Sequence, residues 1–181
     1  MKLADRQLTR AWLVAFSAAL LSISQLGCQP IATGNRLTVA SAGKIISLDP
    51  AQASTVNTIQ LLSALGDPLY SLDGNGELIP RLAEASPIVS PDGLTVTIPL
   101  RRDVLFHDGT RFDAEAMAFS LRRFLEIGTL SYVVGGRIRS VEVAADHQLV
   151  LRLSRPSTSL EGLLTSVNLT PVSPTAYAQH R

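Results

Sequence analysis

The sequence predicts a mixed α/β fold, and three patterns within residues 90–124 predict it. Pro91-Asp92-Gly93 is typical of a tight turn, since Pro fixes φ, Asp bonds nearby backbone and Gly accepts a positive φ. Residues 94–98 alternate at period two and are rich in β-branched side chains, which indicates a strand. From Asp113 onward, the apolar residues change to the spacing of one helical face. A strand and a helix are therefore predicted within one short segment.

Residues typical of element boundaries stand at the ends of this strand and helix. Pro99 has no N–H to donate, so either the strand ends there or it lies at a sheet edge. A second tight turn is expected over residues 107–110. Asp113 is a good N-cap for the helix, and Gly128 supplies its stop. The predicted buried face of the helix comprises Met117, Leu121, Phe124 and Leu125.

Further elements are predicted on both sides of this segment. Residues 36–40 have the pattern of a first strand. Ser54 or Thr55 is expected to cap a helix with an apolar side. The remaining predictions are hairpins around residues 73–76 and 145–147, and helices that begin near residues 156 and 173.

Composition and charge fit one globular domain and give no nucleic-acid footprint. The chain has 181 residues, of which 46% are hydrophobic, and this is enough for a sizeable core. The formal net charge is +1 and only 5% of the residues are aromatic. The composition therefore indicates neither a basic surface for nucleic acid nor a set of aromatic side chains that could stack on bases.

Residues 1–27 have the pattern of a targeting segment. A basic start is followed by the apolar run Ala11–Ile23, which is shorter than the ~20 apolar residues that a membrane span needs. Gly27 precedes the only cysteine, Cys28, in an arrangement that resembles a bacterial lipobox. The alternative is a plain secretory peptide with an incidental cysteine. We expect a lipidated Cys28, a tether over residues 28–35, and a folded domain over residues 36–181.

No catalytic set or metal site is predicted, and no cofactor is expected. His107 beside Asp108 could indicate a metal or acid–base site, but a structural turn explains both residues, and His147 and His180 lack ligand spacing to His107. Asp108 and Asp113 could form a pair of catalytic carboxylates. A turn explains Asp108, however, and a helix cap explains Asp113. The pairs Arg101-Arg102 and Arg122-Arg123 are interpreted as solvated surfaces.

A long ordered set of residues resembles the signature of the extracytoplasmic solute-binding proteins of peptide/nickel-type ABC transporters, family 5. The matching positions are Ser47–Pro50, Leu82–Glu84, Ser90, Asp92–Thr95, Thr97, Leu100-Arg101, Val104, Phe106–Thr110, Ala114 and Phe119-Ser120. The chain departs from the family pattern in two places. The family Trp after Glu84 is missing, with Ala85–Pro87 in its place, and Val96, Ile98 and Pro99 replace two aromatic residues and a polar one.

This resemblance implies that residues 36–181 are the N-terminal part of a solute-binding domain. They would form part of the first lobe of a type II periplasmic-binding-protein-like fold, without the second lobe. The resemblance also implies a non-catalytic substrate-binding component that delivers peptides or related solutes to the permease subunits of an ABC transporter. Its location would be periplasmic or extracytoplasmic, with a lipid anchor in the membrane. The alternative is a lipid-anchored scaffold or remnant lipoprotein without ligand binding of its own. Peptide, nickel complex, heme and oligosaccharide all remain open as the solute.

The resemblance also places the candidate ligand contacts. Ser54, Thr55 and Val56 fall on the family's first helix, and Tyr132 falls in the loop after the signature helix. A Tyr ring with its hydroxyl suits a peptide backbone or side chain. The alternatives are that Ser54 and Thr55 only cap a helix, and that Tyr132 packs on the core.

We expect Cys28→Ser to abolish incorporation of radiolabelled palmitate, because the thiol is the acceptor in a lipobox. The matched control is Ser24→Ala, which changes the same segment and leaves the thiol in place. Equal labelling of the Cys28→Ser variant, or processing of the wild type at another site, would contradict the lipobox interpretation.

Overall fold

The computed structural model describes residues 37–134 and 136–179. The chain divides into two compact units, Met1–Ala40 and Ser41–Arg181. In the first unit, residues 37–40 form no strand, so the predicted strand over residues 36–40 is wrong for the part that is described. A strand requires a neighbour to complete its hydrogen bonds, and no described strand pairs with these residues. Cys28 and the targeting segment lie outside the described residues.

The centre of the second unit is a four-stranded antiparallel sheet. Its strands are β3 (Ile88–Val89), β4 (Thr95–Pro99), β5 (Ile138–Ala145) and β6 (Gln148–Leu153), in the order β3-β4-β6-β5. Val96 of β4 and Val141 of β5 both pair with Leu151 of β6, so three apolar side chains lie in one row. The hairpin predicted around residues 145–147 is confirmed. β4 lies inside the sheet, and Pro99 therefore marks its end.

The signature helix packs against this sheet. Helix α2 (Ala114–Ile127) begins at Asp113, whose Oδ1 accepts a hydrogen bond of 2.8 Å from the Ala116 N–H. The predicted apolar face is confirmed, because Met117, Leu121 and Phe124 are buried in the core and Leu125 packs against its margin. This face is continuous with the buried side of the sheet, so one core holds both layers together.

Shorter elements complete the unit. A 3-10 turn (Pro50–Gln52) leads into helix α1 (Val56–Leu65), and β1 (Tyr70–Leu72) pairs with β2 (Leu78–Pro80) through the predicted hairpin turn. After the signature helix come α3 (Ser131–Val134), α4 (Leu160–Leu163), a second 3-10 turn (Val167–Leu169) and α5 (Pro174–Gln179). None of the described helices is long and apolar enough to cross a membrane.

In both turns of the signature the glycine has the positive φ that the sequence predicts. Gly93 has a φ of +68° and Gly109 a φ of +81°, both in the left-handed region that favours glycine. Asp92 and Asp108 each accept a backbone N–H two residues further on, at 3.0 and 2.9 Å. The aspartates therefore close the turns, and the glycines make the required conformation accessible.

We predict that Gly109→Ala lowers the free energy of unfolding by about 1 to 2 kcal/mol, because an alanine in the left-handed region carries that conformational cost. A Cβ at Gly109 meets no atom within 4 Å, so a steric clash does not contribute. Gly74→Ala is the matched control, since Gly74 is also a turn glycine in open space but has no positive φ. Chemical denaturation measures both variants. Equal midpoints would contradict this account of the turn.

Candidate functional site

Three of the four predicted ligand contacts lie at the start of helix α1. The side chain of Thr55 accepts a hydrogen bond of 3.3 Å from the Thr58 N–H, so Thr55 is the N-cap. Ser54 is exposed, and the side chain of Val56 is 70% exposed although it lies in a helix. Thr55 therefore has the structural role that the alternative interpretation gave it, while Ser54 and Val56 are accessible at the surface.

The fourth predicted contact, Tyr132, lies on the short helix α3. Its side chain is 75% exposed, which excludes the alternative that it packs in the core. The loop before α3 is bonded to the segment before α1: the Thr129 N–H donates to the Ala51 carbonyl at 3.0 Å. The loop that precedes Tyr132 is therefore bonded to the segment that precedes Ser54, Thr55 and Val56.

A buried arginine binds the segment that precedes α1. The Nη1 of Arg123 donates to Oδ1 of Asp49 at 2.7 Å, and its Nη2 contacts Oδ2 of the same carboxylate. Arg123 is only 8% exposed, so its interpretation as a solvated surface residue is wrong. The reason is the partner: a bidentate carboxylate allows a guanidinium to be buried in a helix face that would otherwise exclude it. The hydrogen bond to Asp49 also raises the pKa of Arg123.

Asn168 is a second buried polar residue at this segment, and sequence reasoning missed it. Its Nδ2 donates to the carbonyls of Pro50 and Ala53, at 2.9 and 2.8 Å. Its own Oδ1 accepts from the Ser166 hydroxyl at 3.3 Å. No local motif marks this role, because the two carbonyls that Asn168 binds are more than a hundred positions away in the chain.

A groove of the described unit lies elsewhere. It has a volume of about 830 Å³ and runs between the end of α1, the turn of residues 104–108, and residues 170–173. None of the four predicted contacts lines it. The Thr170 hydroxyl is buried beside this groove and has no hydrogen-bond partner among the described residues. The groove and the predicted ligand surface are therefore separate features.

The signature turn at Asp108 is attached to the last helix. Oδ2 of Asp108 accepts a hydrogen bond of 2.5 Å from the hydroxyl of Ser173, which also accepts from the Ala176 N–H as the cap of α5. These hydroxyl contacts, from Ser173 and then from Thr110, hold the pKa of Asp108 below its usual value. Their stabilising effect is present above the unfolded pKa of about 4 and is lost as the pH falls through the lower folded value.

No metal-binding cluster occurs in the part of the chain that the structure describes: no three His, Cys, Asp or Glu side chains are grouped so as to hold an ion. His107 is exposed in its turn, and the Asp108 next to it is engaged with Ser173 and Thr110. Ser54, Val56 and Tyr132 present hydroxyl groups and apolar side chains to solvent.

Comparison with known proteins establishes the family. Residues 77–180, more than half of the chain, match the family model described as Bacterial extracellular solute-binding proteins, family 5 Middle. The chain belongs to the family 5 bacterial extracellular solute-binding proteins. The resemblance that the signature residues carried is thereby confirmed.

Two relatives in this family have names that describe their function. The glutathione-binding protein GsiB of Salmonella choleraesuis is 28% identical over 175 residues, covering 96% of this chain and 33% of the relative. A probable peptide ABC transporter periplasmic-binding protein, y4tO of Sinorhizobium fredii, is 28% identical over 165 residues, covering 91% of this chain and 30% of the relative. The chain thus spans about a third of the length of the curated relatives it matches.

Solved structures confirm the mixed α/β fold as that of periplasmic binding proteins. OppA of Listeria monocytogenes, bound to peptide, has a TM-score of 0.69 at 22% identity, and the match covers 75% of this chain and 30% of OppA. AgaA from A. tumefaciens R10, in complex with agropinic acid, has a TM-score of 0.69 at 26% identity, and the match covers 76% and 28% of the two chains.

We predict that Arg123→Met destabilises the fold by about 3 kcal/mol, because it leaves the partly buried Asp49 carboxylate without its counter-charge. The neighbouring Arg122 is exposed and donates to the Val141 carbonyl at 2.8 Å. Arg122→Met is therefore the matched control, with an expected loss of at most about 1 kcal/mol. Thermal unfolding of both variants distinguishes the two arginines, and equal losses would contradict the special role of Arg123.

Proposed function

We propose that the chain provides a ligand-facing surface of an extracytoplasmic substrate-binding component, which delivers peptides or related small solutes to an ABC transporter permease. Binding is non-covalent, and no bond is made or broken. The processed chain is held at the membrane by lipidated Cys28. The membership in family 5 and the names of the relatives support this function.

The observation that carries this proposal is the hydrogen bond from the Thr129 N–H to the Ala51 carbonyl. It joins the two segments that bear Ser54, Thr55, Val56 and Tyr132. Val56 and Tyr132 remain exposed although both belong to helices in which apolar positions would otherwise be buried. We infer that three of these residues contact the solute: Tyr132 and Val56 by their apolar surfaces, and Ser54 by its hydroxyl group. Thr55, whose hydroxyl is used in capping α1, orders the start of the helix between them.

A peptide is the solute class that the relatives favour. One is named as a glutathione-binding protein, another as a probable peptide transporter component, and the Listeria structure contains a peptide. The AgaA complex with agropinic acid illustrates another solute in a similar fold. Because the fold admits different solutes, the exposed side chains of the proposed surface would select among them.

We expect reduced glutathione and trialanine to perturb the backbone NMR signals of residues 54–56 and 131–133 in the ¹⁵N-labelled full chain, purified as the cell processes it. One open surface buries little of a ligand, so the expected Kd is about millimolar, or about −4 kcal/mol. Tyr132→Ala should weaken the stronger of the two interactions about tenfold, as expected for the loss of roughly 1.4 kcal/mol of contact.

Ile88→Ala is the matched control for Tyr132→Ala, because Ile88 is 65% exposed and lies on the edge strand β3. It should leave the affinity unchanged. Perturbations confined to the groove near residues 104–108 would place the ligand elsewhere and refute the proposed surface. The absence of any perturbation at millimolar ligand would favour the alternative of a lipid-anchored scaffold without ligand binding of its own.

A further inference from the structure

The backbone that precedes the proposed ligand surface is fixed at each carbonyl between Pro50 and Ala53. The Pro50 carbonyl accepts from the Ala53 N–H, and the Ala51 carbonyl from the Thr129 N–H, at 3.1 and 3.0 Å. The Gln52 carbonyl accepts from the Thr129 hydroxyl at 3.5 Å. The Ala53 carbonyl accepts from the Asn168 side chain. A four-residue stretch without a sheet partner is therefore completely hydrogen-bonded.

The donors come from distant parts of the chain. Thr129 lies after helix α2, and Asn168 lies in the 3-10 turn Val167–Leu169. Asp49, at the other end of the stretch, caps the Pro50–Gln52 turn through the Ala51 N–H at 3.1 Å and is held by Arg123 of α2. Three separate regions thus fix one short segment, and the segment ends directly at Ser54.

The side-chain amide of Asn168 connects two carbonyl groups of this segment. It is 5% exposed, and its one amide nitrogen donates to two carbonyls that are three residues apart, Pro50 and Ala53. Because both N–H groups of the amide are used, the distance and angle between these carbonyls are set by one rigid side chain. An apolar residue could fill the same volume but would leave the Ala53 carbonyl without the one bond described for it.

We propose that Asn168 is a positioning residue, which together with the Asp49–Arg123 pair holds residues 54–56 in the geometry required for solute contact. This inference rests on the function proposed above and deepens it. Preorganisation has a direct effect on affinity, since a contact surface that is already ordered loses less conformational entropy when the ligand binds. A residue that never touches the solute can therefore set the affinity through the residues that do.

A purely structural role for Asn168 would lower global stability without a local effect. The two roles are distinguished by amide hydrogen exchange, because the Gln52 and Ala53 N–H groups report on the segment while those of Val96 and Leu151 report on the sheet. Asn168→Asp keeps the side-chain shape and removes both N–H donors. In this variant we expect exchange at Gln52 and Ala53 to accelerate by at least about tenfold relative to the sheet amides.

The same samples are titrated with reduced glutathione and trialanine, and the affinity of Asn168→Asp should fall by about tenfold. Arg123→Lys is the second variant, for the case that Asn168→Asp fails to fold. It keeps the charge and removes the bidentate geometry, so the same local exchange effect is expected. Ser120→Ala is the control, because Ser120 is a buried helix residue that accepts from the Val172 N–H at 3.0 Å, and its hydroxyl bonds only to Ala116 and Val172 among the described residues.

Faster exchange at Gln52 and Ala53 with weaker binding supports the inference, provided that Ser120→Ala changes neither. Unchanged relative exchange in the folded Asn168 or Arg123 variant overturns it, even where the wild type binds the probes. Accelerated exchange without an effect on the affinity also overturns the inference, since Asn168 would then have only a structural role. If the wild type binds neither probe while the exchange effect is present, the proposed function fails for these peptides, although the segment is still held by Asn168.

Discussion

The ion pair between Asp49 and Arg123 is the constraint on which the rest of this unit depends. Asp49 caps the turn that leads to helix α1, and Arg123 lies in the signature helix. The guanidinium carbon of Arg123 also lies 4.2 Å from the ring centroid of Tyr177 in the last helix. One buried cation thus joins the start, the middle and the end of the described fold. Such a pair adds little net stability over an apolar core, but it strongly penalises any arrangement that separates its partners.

The family signature describes this scaffold more than it describes a binding site. Asp49 pairs with Arg123, Asp92 and Asp108 close turns, and Asp108 also holds Ser173. Phe119 meets Tyr177 edge to face at 5.8 Å. The hydrogen bonds of these residues are made within the fold, so the residues that define the family need not contact a solute. The signature therefore predicts the fold well and says little about what is bound.

Sequence reasoning succeeded where a pattern is local and failed where partners are distant. The turn glycines, the Asp113 cap and the hairpin around residues 145–147 follow from neighbouring residues, and the structure has all of them. Arg123 could not be assigned correctly, because its burial depends on a carboxylate 74 positions away. Asn168 was missed for the same reason. The strand over residues 36–40 was predicted from a local pattern alone, which does not supply the pairing strand that a β-strand requires.

This division between local and distant interactions bears on how the solute would be selected. Bonds within the fold use the buried carbonyls, carboxylates and amides, and they leave Ser54, Val56 and Tyr132 exposed beside them. Substitution of an exposed side chain usually has little effect on stability, whereas substitution of Asp49, Arg123 or Asn168 would disrupt buried hydrogen bonds and destabilise the fold. A fixed frame with replaceable contact residues would allow one fold to serve different solutes. The proposed specificity of this chain would therefore reside in the side chains of a small surface, and the precision of that surface in the buried groups behind it.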